Sequence, residues 1–143
     1  MTISYPLKAS SVDRSVFEKL PHSNTGFYRV KRDFIAFKKV CHRVRCLSVA
    51  LLLIPKGAHV YLTTYKCRAS MAYVCGIRRC AGAYDALGHL KVSHYKTAES
   101  QFDSRFKYRV GECVVPDLTF SYEMEECESG IHFFCDERDA ELY

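Results

Sequence analysis

Cysteine and histidine are the residue types in this chain that could carry out nucleophilic chemistry. The sequence contains eight cysteines and six histidines. A thiol enzyme would use Cys67 or Cys127 as its nucleophile, with His132 or His94 as the base. Cys67 stands between a lysine and an arginine, and neighbouring cations lower the pKa of a thiol. On a strand, however, sequence neighbours point to the opposite face, so we expect Cys67 to be an inward-facing core residue.

The same residue types could hold zinc, which needs four ligands close together in space. Two groups supply such types: Cys41, His42 and Cys46, and Cys127, His132 and Cys135. Neither group has the spacing of a known zinc site, so we predict no bound metal and no cofactor. Because the N-terminus lacks the features of a signal peptide, we expect reduced thiols packed in the core, with zinc or disulfide bonds as alternatives.

The C-terminal segment, residues 125–143, combines an acidic run, one glycine, an apolar burst and a short charged stretch. Gly130 is expected to permit a turn with positive φ before a strand. On that strand His132 and Phe134 share one face, and such a histidine is usually half-buried and hydrogen-bonded. We therefore predict that this segment closes the fold.

Charge is divided unevenly along the chain. Residues 1–96 hold 17 Lys and Arg against 4 Asp and Glu, a net of +13, whereas residues 97–143 hold 4 against 12, a net of −8. The two values sum to the overall charge of +5. Such a division suggests a nucleic-acid or acidic partner for the basic part. We favour the alternative that the two parts neutralise each other within one fold or between copies.

Nucleic-acid binding is a second functional hypothesis, because basic residues alternate with aromatic ones between residues 28 and 45. Lysine and arginine clusters contact phosphates, and exposed aromatic rings can stack on bases. Strand aromatics are more often core residues, and no recognised nucleic-acid-binding motif appears. The basic residues concerned are Lys31, Arg32, Lys38, Lys39, Arg43, Arg45, Arg78 and Arg79.

The hydrophobic pattern predicts a small, β-rich α+β domain with a mostly antiparallel sheet. Apolar residues at helical spacing predict an N-terminal helix over residues 11–20. Asp136 is the predicted N-cap of a short C-terminal helix. Short connections favour antiparallel pairing. Aromatic and β-branched residues predict strands at 26–30, 34–40, 59–65, 66–76, 105–110, 111–117 and 130–134, and the nearly continuous apolar run at 46–55 predicts a buried central strand.

Two regions complete this organisation. Residues 78–104 contain two glycines and no sustained strand pattern, which predicts a loop with a short helix or an irregular hairpin. Residues 1–24 are interpreted as an N-terminal extension that carries the first helix, and residues 25–143 as one globular domain.

Four stretches resemble a known but uncharacterised domain: "TGFYRVKRDFIAFKKV", "LLLIPKGAHVYLTTYKCRASMAYV", "FKYRVGECVVPD" and "EECESGIHFFCDERDAELY". That domain occurs in phages, bacteria and large DNA viruses, where it often follows pentapeptide repeats. The resemblance covers roughly residues 25–143. It implies a stand-alone fold and a viral origin, but no reaction. Its most specific pieces are "KCRAS" and "EC-x-x-GIHFF-x5-A-x2-Y", which contain Cys67, Arg68, Cys127, Gly130, His132 and Tyr143.

The end of the chain is also similar to the "GIYF" strand and following small-x-x-Tyr of poly-ADP-ribosyl transferases. In that fold an aromatic pair encloses the nicotinamide of NAD, which would place His132 and Tyr143 at such a site. Those enzymes need further strands after the motif, including one that carries a catalytic glutamate. We therefore keep this only as a minor alternative.

The sequence shows no convergent set of acid, base and nucleophile. We therefore expect a non-enzymatic interaction or assembly module of viral origin, whose partner is another protein or a second copy. The most apolar run, residues 46–55, is far shorter than the roughly 20 residues of a membrane-spanning helix, so a soluble protein without membrane contact is expected. We also expect a reducing, cytoplasmic location, in the host cytoplasm or a virion. A basic nucleic-acid binder and a small ADP-ribosyltransferase-like or thiol enzyme are the alternatives.

Overall fold

The computed structural model describes residues 13–21, 23, 25–43, 45–64, 66–79, 94–125 and 128–143, apart from the side chains of 45–47. These residues form one antiparallel sheet, one 3₁₀ turn at Arg14–Val16 and one short helix. The strands are β1 Phe17–Lys19, β2 Phe27–Val30, β3 Phe34–His42, β4 Arg45–Ile54, β5 His59–Tyr61, β6 Lys66–Ala69, β7 Ala72–Arg79, β8 His94–Tyr95, β9 Thr97–Ser100, β10 Lys107–Arg109, β11 Cys113–Val114 and β12 Ile131–Phe134. The helix α1 spans Glu137–Leu142.

The strands follow the order β1-β2-β5-β6-β12-β3-β4-β7-β11, while β9 joins the same sheet by pairing with β3 and β10, and β8 pairs with β7. The long β3–β4 hairpin runs from the pair Phe34↔Ile54 to the pair His42↔Arg45 and forms the centre of the sheet. The predicted strand-rich α+β class and antiparallel pairing are therefore confirmed. Short connections allow this arrangement, because antiparallel neighbours need only a tight turn.

The two faces of the sheet are buried by different partners. Inward residues of β3 and β4, such as Ala36, Val40 and Leu52, contribute to the main core, and each is fully buried. On the opposite face α1 packs Ala140 against Phe134 and its neighbours. Burial on both faces accounts for the apolar pair Val49 and Ala50 in β4, whereas Leu51 on the outer face stays 37% exposed.

The C-terminal helix begins at its predicted N-cap. The Asp136 side chain accepts a hydrogen bond from the Arg138 backbone N–H at 2.9 Å, which satisfies one of the free amide groups of the first turn. Two further acidic residues lie in that turn and suit the positive end of the helix dipole. The local sequence therefore fixes where α1 starts.

The predicted N-terminal helix is wrong for the part of it that the structure describes. A 3₁₀ turn at Arg14–Val16 is followed by β1, whose Phe17 pairs with Val30 of β2. Val16 is buried in the main core. Pairing with a sheet edge supplies hydrogen bonds to consecutive residues, which outweighs the weak stability of an isolated ten-residue helix. Residues 11 and 12 lie outside the described residues.

The single strand expected at 66–76 is also wrong, because the chain breaks at Ser70. Lys66–Ala69 forms β6 between β5 and β12, whereas Ala72–Arg79 forms β7 next to β4. At the break, the Ser70 amide donates to the His59 carbonyl at 2.8 Å, and the Ser70 hydroxyl accepts from the His59 amide at 2.9 Å. These bonds hold the bend, after which the chain continues as β7 and pairs with β4 instead of β12.

Part of the region at 78–104, expected to be a loop, helix or hairpin, forms strands. β8 and β9 lie at His94–Tyr95 and Thr97–Ser100, while residues 80–93 lie outside the described residues. Within the part of the chain that the structure describes, no helix is long and apolar enough to cross a membrane.

Candidate functional site

A cleft of about 580 Å³ opens where one edge of β3 changes its partner strand. Phe37 of β3 pairs with Phe134 of β12, whereas Val40, three residues later, pairs with Ser100 of β9. The volume is typical of a pocket for a small ligand or a few side chains. The lining residues are Lys38, Lys66, Ser100, Phe102, Asp103, Phe106, Tyr108, Pro116, Asp117, Leu118, Glu128, Ser129, Gly130, Ile131, His132 and Tyr143.

Lys38 enters the cleft from the inward face of β3. It lies two residues from Ala36 and two from Val40, both fully buried, and alternation places all three on one face. Burial and, second, the positive charge of Lys66 lower the pKa of Lys38 from 10.5 to about 8. No hydrogen bond or ion pair holds the Lys38 ammonium among the described residues. The cleft therefore contains an ammonium group that forms no ion pair with the described residues, although the carboxylates of Asp103, Asp117 and Glu128 also line it.

Lys66 supplies a second cation to the same cleft, and it is held by an aromatic residue. Its side chain is buried, and its Nζ donates to the hydroxyl of Tyr143 at 3.0 Å. The ammonium also lies 4.9 Å from the centroid of the Tyr143 ring, a favourable cation–π distance. These contacts fix the position of the Lys66 charge without neutralising it.

The rim of the cleft exposes apolar surface. Phe102 is 77% exposed, Leu118 is 74% exposed and Tyr143 is 40% exposed. The rings of Phe102 and Tyr143 meet edge to face with centroids 6.3 Å apart. Single exposed apolar residues are ordinary, but three around one opening are typical of a binding site. Deeper in the cleft, burial raises the pKa of the Tyr108 hydroxyl above its ordinary value.

Arg68 supports the backbone next to the cleft, including Ser129 of its lining. Its side chain is fully buried, and its guanidinium donates to the carbonyls of Ser121 at 2.5 Å, Glu125 at 2.9 Å and Ser129 at 3.1 Å, and also to that of Glu123. One side chain thus holds together the backbone at residues 121, 123, 125 and 129. Burial lowers the pKa of Arg68, although a nearby carboxylate and a tyrosine partly offset this.

Aromatic rings complete the environment of this guanidinium. The Arg68 Cζ lies 4.8 Å from the ring centroid of Tyr61, 5.2 Å from that of Phe120 and 5.7 Å from that of Phe27. Arginine suits such a position because its planar group can stack on rings and donate in several directions at once. Arg68 is therefore a structural cation that supports the segment lining the cleft.

Gly130 is required by the close approach of two strands. A Cβ at this position would lie 2.9 Å from the Cβ of Arg68 and 3.3 Å from the carbonyl oxygen of Ala69. The backbone φ of 159° is positive, as predicted for the turn before the strand. Both this φ and the lack of space next to Arg68 therefore favour glycine here.

The register of β6 and β12 decides which of the predicted site residues meet. His132 is opposite Arg68, and directly opposed residues of an antiparallel pair share a face. Cys67, one residue earlier, faces the main core and is 1% exposed, as expected. Cys67 and His132 therefore lie on opposite faces of this pair, which does not suit a nucleophile and its base. His132 and Tyr143, in contrast, line the same cleft.

The basic residues considered for nucleic-acid binding do not form one patch. Lys31 and Arg32 lie before β3 and Arg43 lies after it, which separates them by roughly 30 Å along an extended strand. Lys38 and Lys39 point to opposite faces, and Lys39 donates to the Glu141 carbonyl at 2.8 Å. Arg79 is half-buried at the end of β7, and the side chain of Arg45 lies outside the described residues.

Arg78 is engaged within the fold by acids of α1. Its guanidinium donates to Glu137 at 2.8 Å and to Glu141 at 2.9 Å. Burial acts to lower the pKa of Arg78, but the hydrogen bonds and charges of these two carboxylates raise it overall. At this position the basic and acidic parts of the chain neutralise each other inside one molecule.

Four cysteines are free thiols in the described structure, which agrees with the prediction for those positions. Cys67 and Cys135 are buried, whereas Cys75 and Cys113 are exposed. A hydrogen bond with Cys67, together with burial, raises the pKa of Cys135. Cys41 is disulfide-bonded, so the expectation that all the cysteines are reduced is wrong at this position.

No group of three or more His, Cys, Asp or Glu residues with metal-binding geometry occurs in the ranges the structure describes. The candidate residue Cys127 lies outside those ranges, as does the side chain of Cys46. His94 is exposed on β8 and lines a second, smaller cleft beside Arg78.

Comparison with known proteins identifies the family. A model of a family of unknown function, DUF5758, matches residues 24–140. The chain belongs to this family. The two sequence pieces that suggested an uncharacterised domain, around Arg68 and around His132, are those that pair in β6 and β12. The chain matches no curated protein and no solved structure.

The meeting of two lysines of this DUF5758 chain in one cleft was not predicted from the sequence. Lys38 was grouped with surface cations, although its spacing from Ala36 and Val40 already places it on the inward face. Lys66 was considered only as a neighbour of Cys67. The position of Phe102 at the cleft could not be predicted, because it depends on which loop lies beside β12.

Proposed function

We propose that the protein is a non-enzymatic interaction module that binds an acidic segment of a protein partner in the cleft. The observation that carries the proposal is the pair of cations, Lys38 and Lys66, which line one cleft and form no ion pair among the described residues. Two like charges close together are unfavourable until an anion joins them. A carboxylate of the partner would supply that anion.

The apolar rim of the cleft favours a protein as the partner. Phe102, Leu118 and Tyr143 expose rings and an aliphatic chain around the opening, and binding sites between proteins are enriched in such anchors. An acidic side chain beside an apolar one would satisfy both parts of the cleft. A viral setting is part of the same proposal, and the resemblance to a domain found in phages, bacteria and large DNA viruses supports it.

A separate partner is favoured over self-association through the divided charge of the chain. Arg78 of the basic part already pairs with Glu137 and Glu141 of the acidic part within one molecule. Charges that are neutralised in this way contribute little to attraction between copies. The cations of the cleft remain for a partner.

The test is fluorescence anisotropy of a labelled peptide of alternating leucine and glutamate, with a leucine–glutamine peptide as the neutral control. Lys66→Met should weaken binding of the acidic peptide by about tenfold or more, because it removes a partly desolvated charge pair. Phe102→Ala should weaken binding of both peptides. Lys56→Met is the matched control, since Lys56 is an exposed lysine in the β4–β5 turn.

Two results would contradict the proposal. Equal binding of the acidic and neutral peptides would show that the cations do not select an anion. A loss of affinity in Lys56→Met as large as that in Lys66→Met would show that only the overall positive charge attracts the peptide.

A further inference from the structure

Lys38 lines the cleft and has chemistry that the proposed function does not fully use. Its neighbour Lys39 points to the opposite face and donates to a backbone carbonyl at 2.8 Å, and Lys66 donates to a tyrosine hydroxyl at 3.0 Å. No such bond holds Lys38 among the described residues. Its amine therefore lines an open cleft without being engaged.

The surroundings of Lys38 favour the neutral amine, which is the nucleophilic form. Burial on the inward face of β3 and repulsion from Lys66 act in the same direction, and the pKa of Lys38 is about 8. The carboxylates of Asp103, Asp117 and Glu128 line the cleft, but none of them opposes this effect. A desolvated lysine beside a second cation is one of the arrangements that activate an amine.

We propose that Lys38 forms an imine with an aldehyde or ketone that carries an anionic group, and that Lys66 holds the anionic group. The Lys38 nitrogen attacks the carbonyl carbon and forms a C–N bond. The carbonyl oxygen leaves as water with the two protons of the amine, so the step needs no oxidant or reductant. The inference goes beyond the proposed function, but it rests on the same cleft being the binding site.

The shape of the cleft suits a ligand of this class with a ring or an apolar portion. Its volume of about 580 Å³ exceeds what a two-carbon acid would fill. Phe102 and Phe106 offer aromatic surface on the lining. Lys66 is fixed by Tyr143, so the anion and the carbonyl of the ligand have defined places.

The experiment uses pyridoxal 5′-phosphate as an anionic aldehyde probe, followed by borohydride reduction and peptide mapping of the modified lysines. Near neutral pH the neutral fraction of Lys38 exceeds that of an ordinary lysine by roughly a hundredfold or more. At limiting probe we therefore expect one adduct, on Lys38. Lys38→Met should abolish it, and Lys39→Met should leave it unchanged.

The role of Lys66 has its own control. Pyridoxal, which has the aldehyde but no phosphate, should label Lys38 roughly tenfold less efficiently, the effect expected of one partly desolvated charge pair. Lys66→Met should remove this preference for the phosphate while the Lys38 amine remains in place. An unchanged preference in Lys66→Met would overturn the assignment of Lys66.

Adducts spread over exposed lysines such as Lys31 and Lys56, with none on Lys38, would overturn the imine inference. Amide NMR shifts at Gly130 and Ile131 on adding the probe without reductant report non-covalent binding in the same cleft. Such shifts without a Lys38 adduct would leave the proposed function standing and refute the imine alone. A Lys38 adduct without binding of the acidic peptide would refute the proposed function alone.

Discussion

Replacing Lys38 by methionine should stabilise the protein near neutral pH. The ordinary lysine pKa of 10.5 falls to about 8 in the fold, a difference that corresponds to about 3 kcal/mol. Below a pH of about 8 both the folded and the unfolded chain carry the proton, so the folded state bears this whole cost. Methionine keeps a similar unbranched stem without a charge. We therefore expect Lys38→Met to raise the free energy of unfolding by up to about 3 kcal/mol near pH 7.

The sign of the pH dependence of this stability difference tests whether the charge of Lys38 causes it. As the pH rises through about 8, folded Lys38 loses its proton while the unfolded chain keeps it up to about 10.5, so the wild type gains stability. The advantage of Lys38→Met should therefore shrink to about 1.5 kcal/mol near pH 9.5. Urea unfolding of both proteins at a series of pH values measures it, because the other titrating groups cancel in the difference.

Lys39→Met is the matched control for this experiment. Lys39 lies next to Lys38 on β3, faces α1 and donates to the Glu141 carbonyl. Its replacement should cost about 1 kcal/mol for the lost hydrogen bond, a change opposite in sign to that expected of Lys38→Met. A difference between wild type and Lys38→Met that stayed constant between about pH 7 and 9.5 would refute the argument that a buried ammonium causes it.

Three further predictions concern other parts of the fold. Arg68→Met should destabilise the protein by about 4 kcal/mol or more in urea unfolding, because it leaves several buried carbonyls without their donor. The control Arg29→Met, at an exposed ion pair, should cost less than about 1 kcal/mol. Asp136→Ala should cost about 1 kcal/mol through loss of the helix N-cap, measured in the same way. A thiol reagent should modify exposed Cys75 in the native protein but buried Cys67 only after unfolding, as mass spectrometry of digests would report.

The strands of this fold could be predicted from sequence because their apolar pattern is local. β3, β4 and β12 appear where alternation and β-branched residues place them. The break at Ser70 could not be predicted, since the residues on either side both favour strands and only the distant pairing of β6 with β12 separates them. Likewise, Phe17 forms a strand because an edge of β2 is available to it. Both errors arise where tertiary pairing overrides a local preference.

The candidate site was only partly predictable for a related reason. His132 and Tyr143 were identified from a sequence motif, but the cations that give their cleft its character come from β3 and β6. A lysine in an apolar strand pattern is ambiguous, because alternation predicts the face but not whether that face is covered. Here the neighbouring strand changes between Phe37 and Val40, which opens the cleft beside Lys38.

Two desolvated cations of this sheet, Arg68 and Lys38, differ in the contacts that offset their desolvation. Arg68 is fully buried, yet carbonyls and aromatic rings surround its guanidinium, so its contacts offset its desolvation. Lys38 has no such contacts among the described residues and lies beside a second cation. In a protein whose total stability is about 5–15 kcal/mol, a charge that costs about 3 kcal/mol is a large burden. Its place in an open cleft beside Lys66, together with this cost, is the basis of the chemical role that we propose for Lys38.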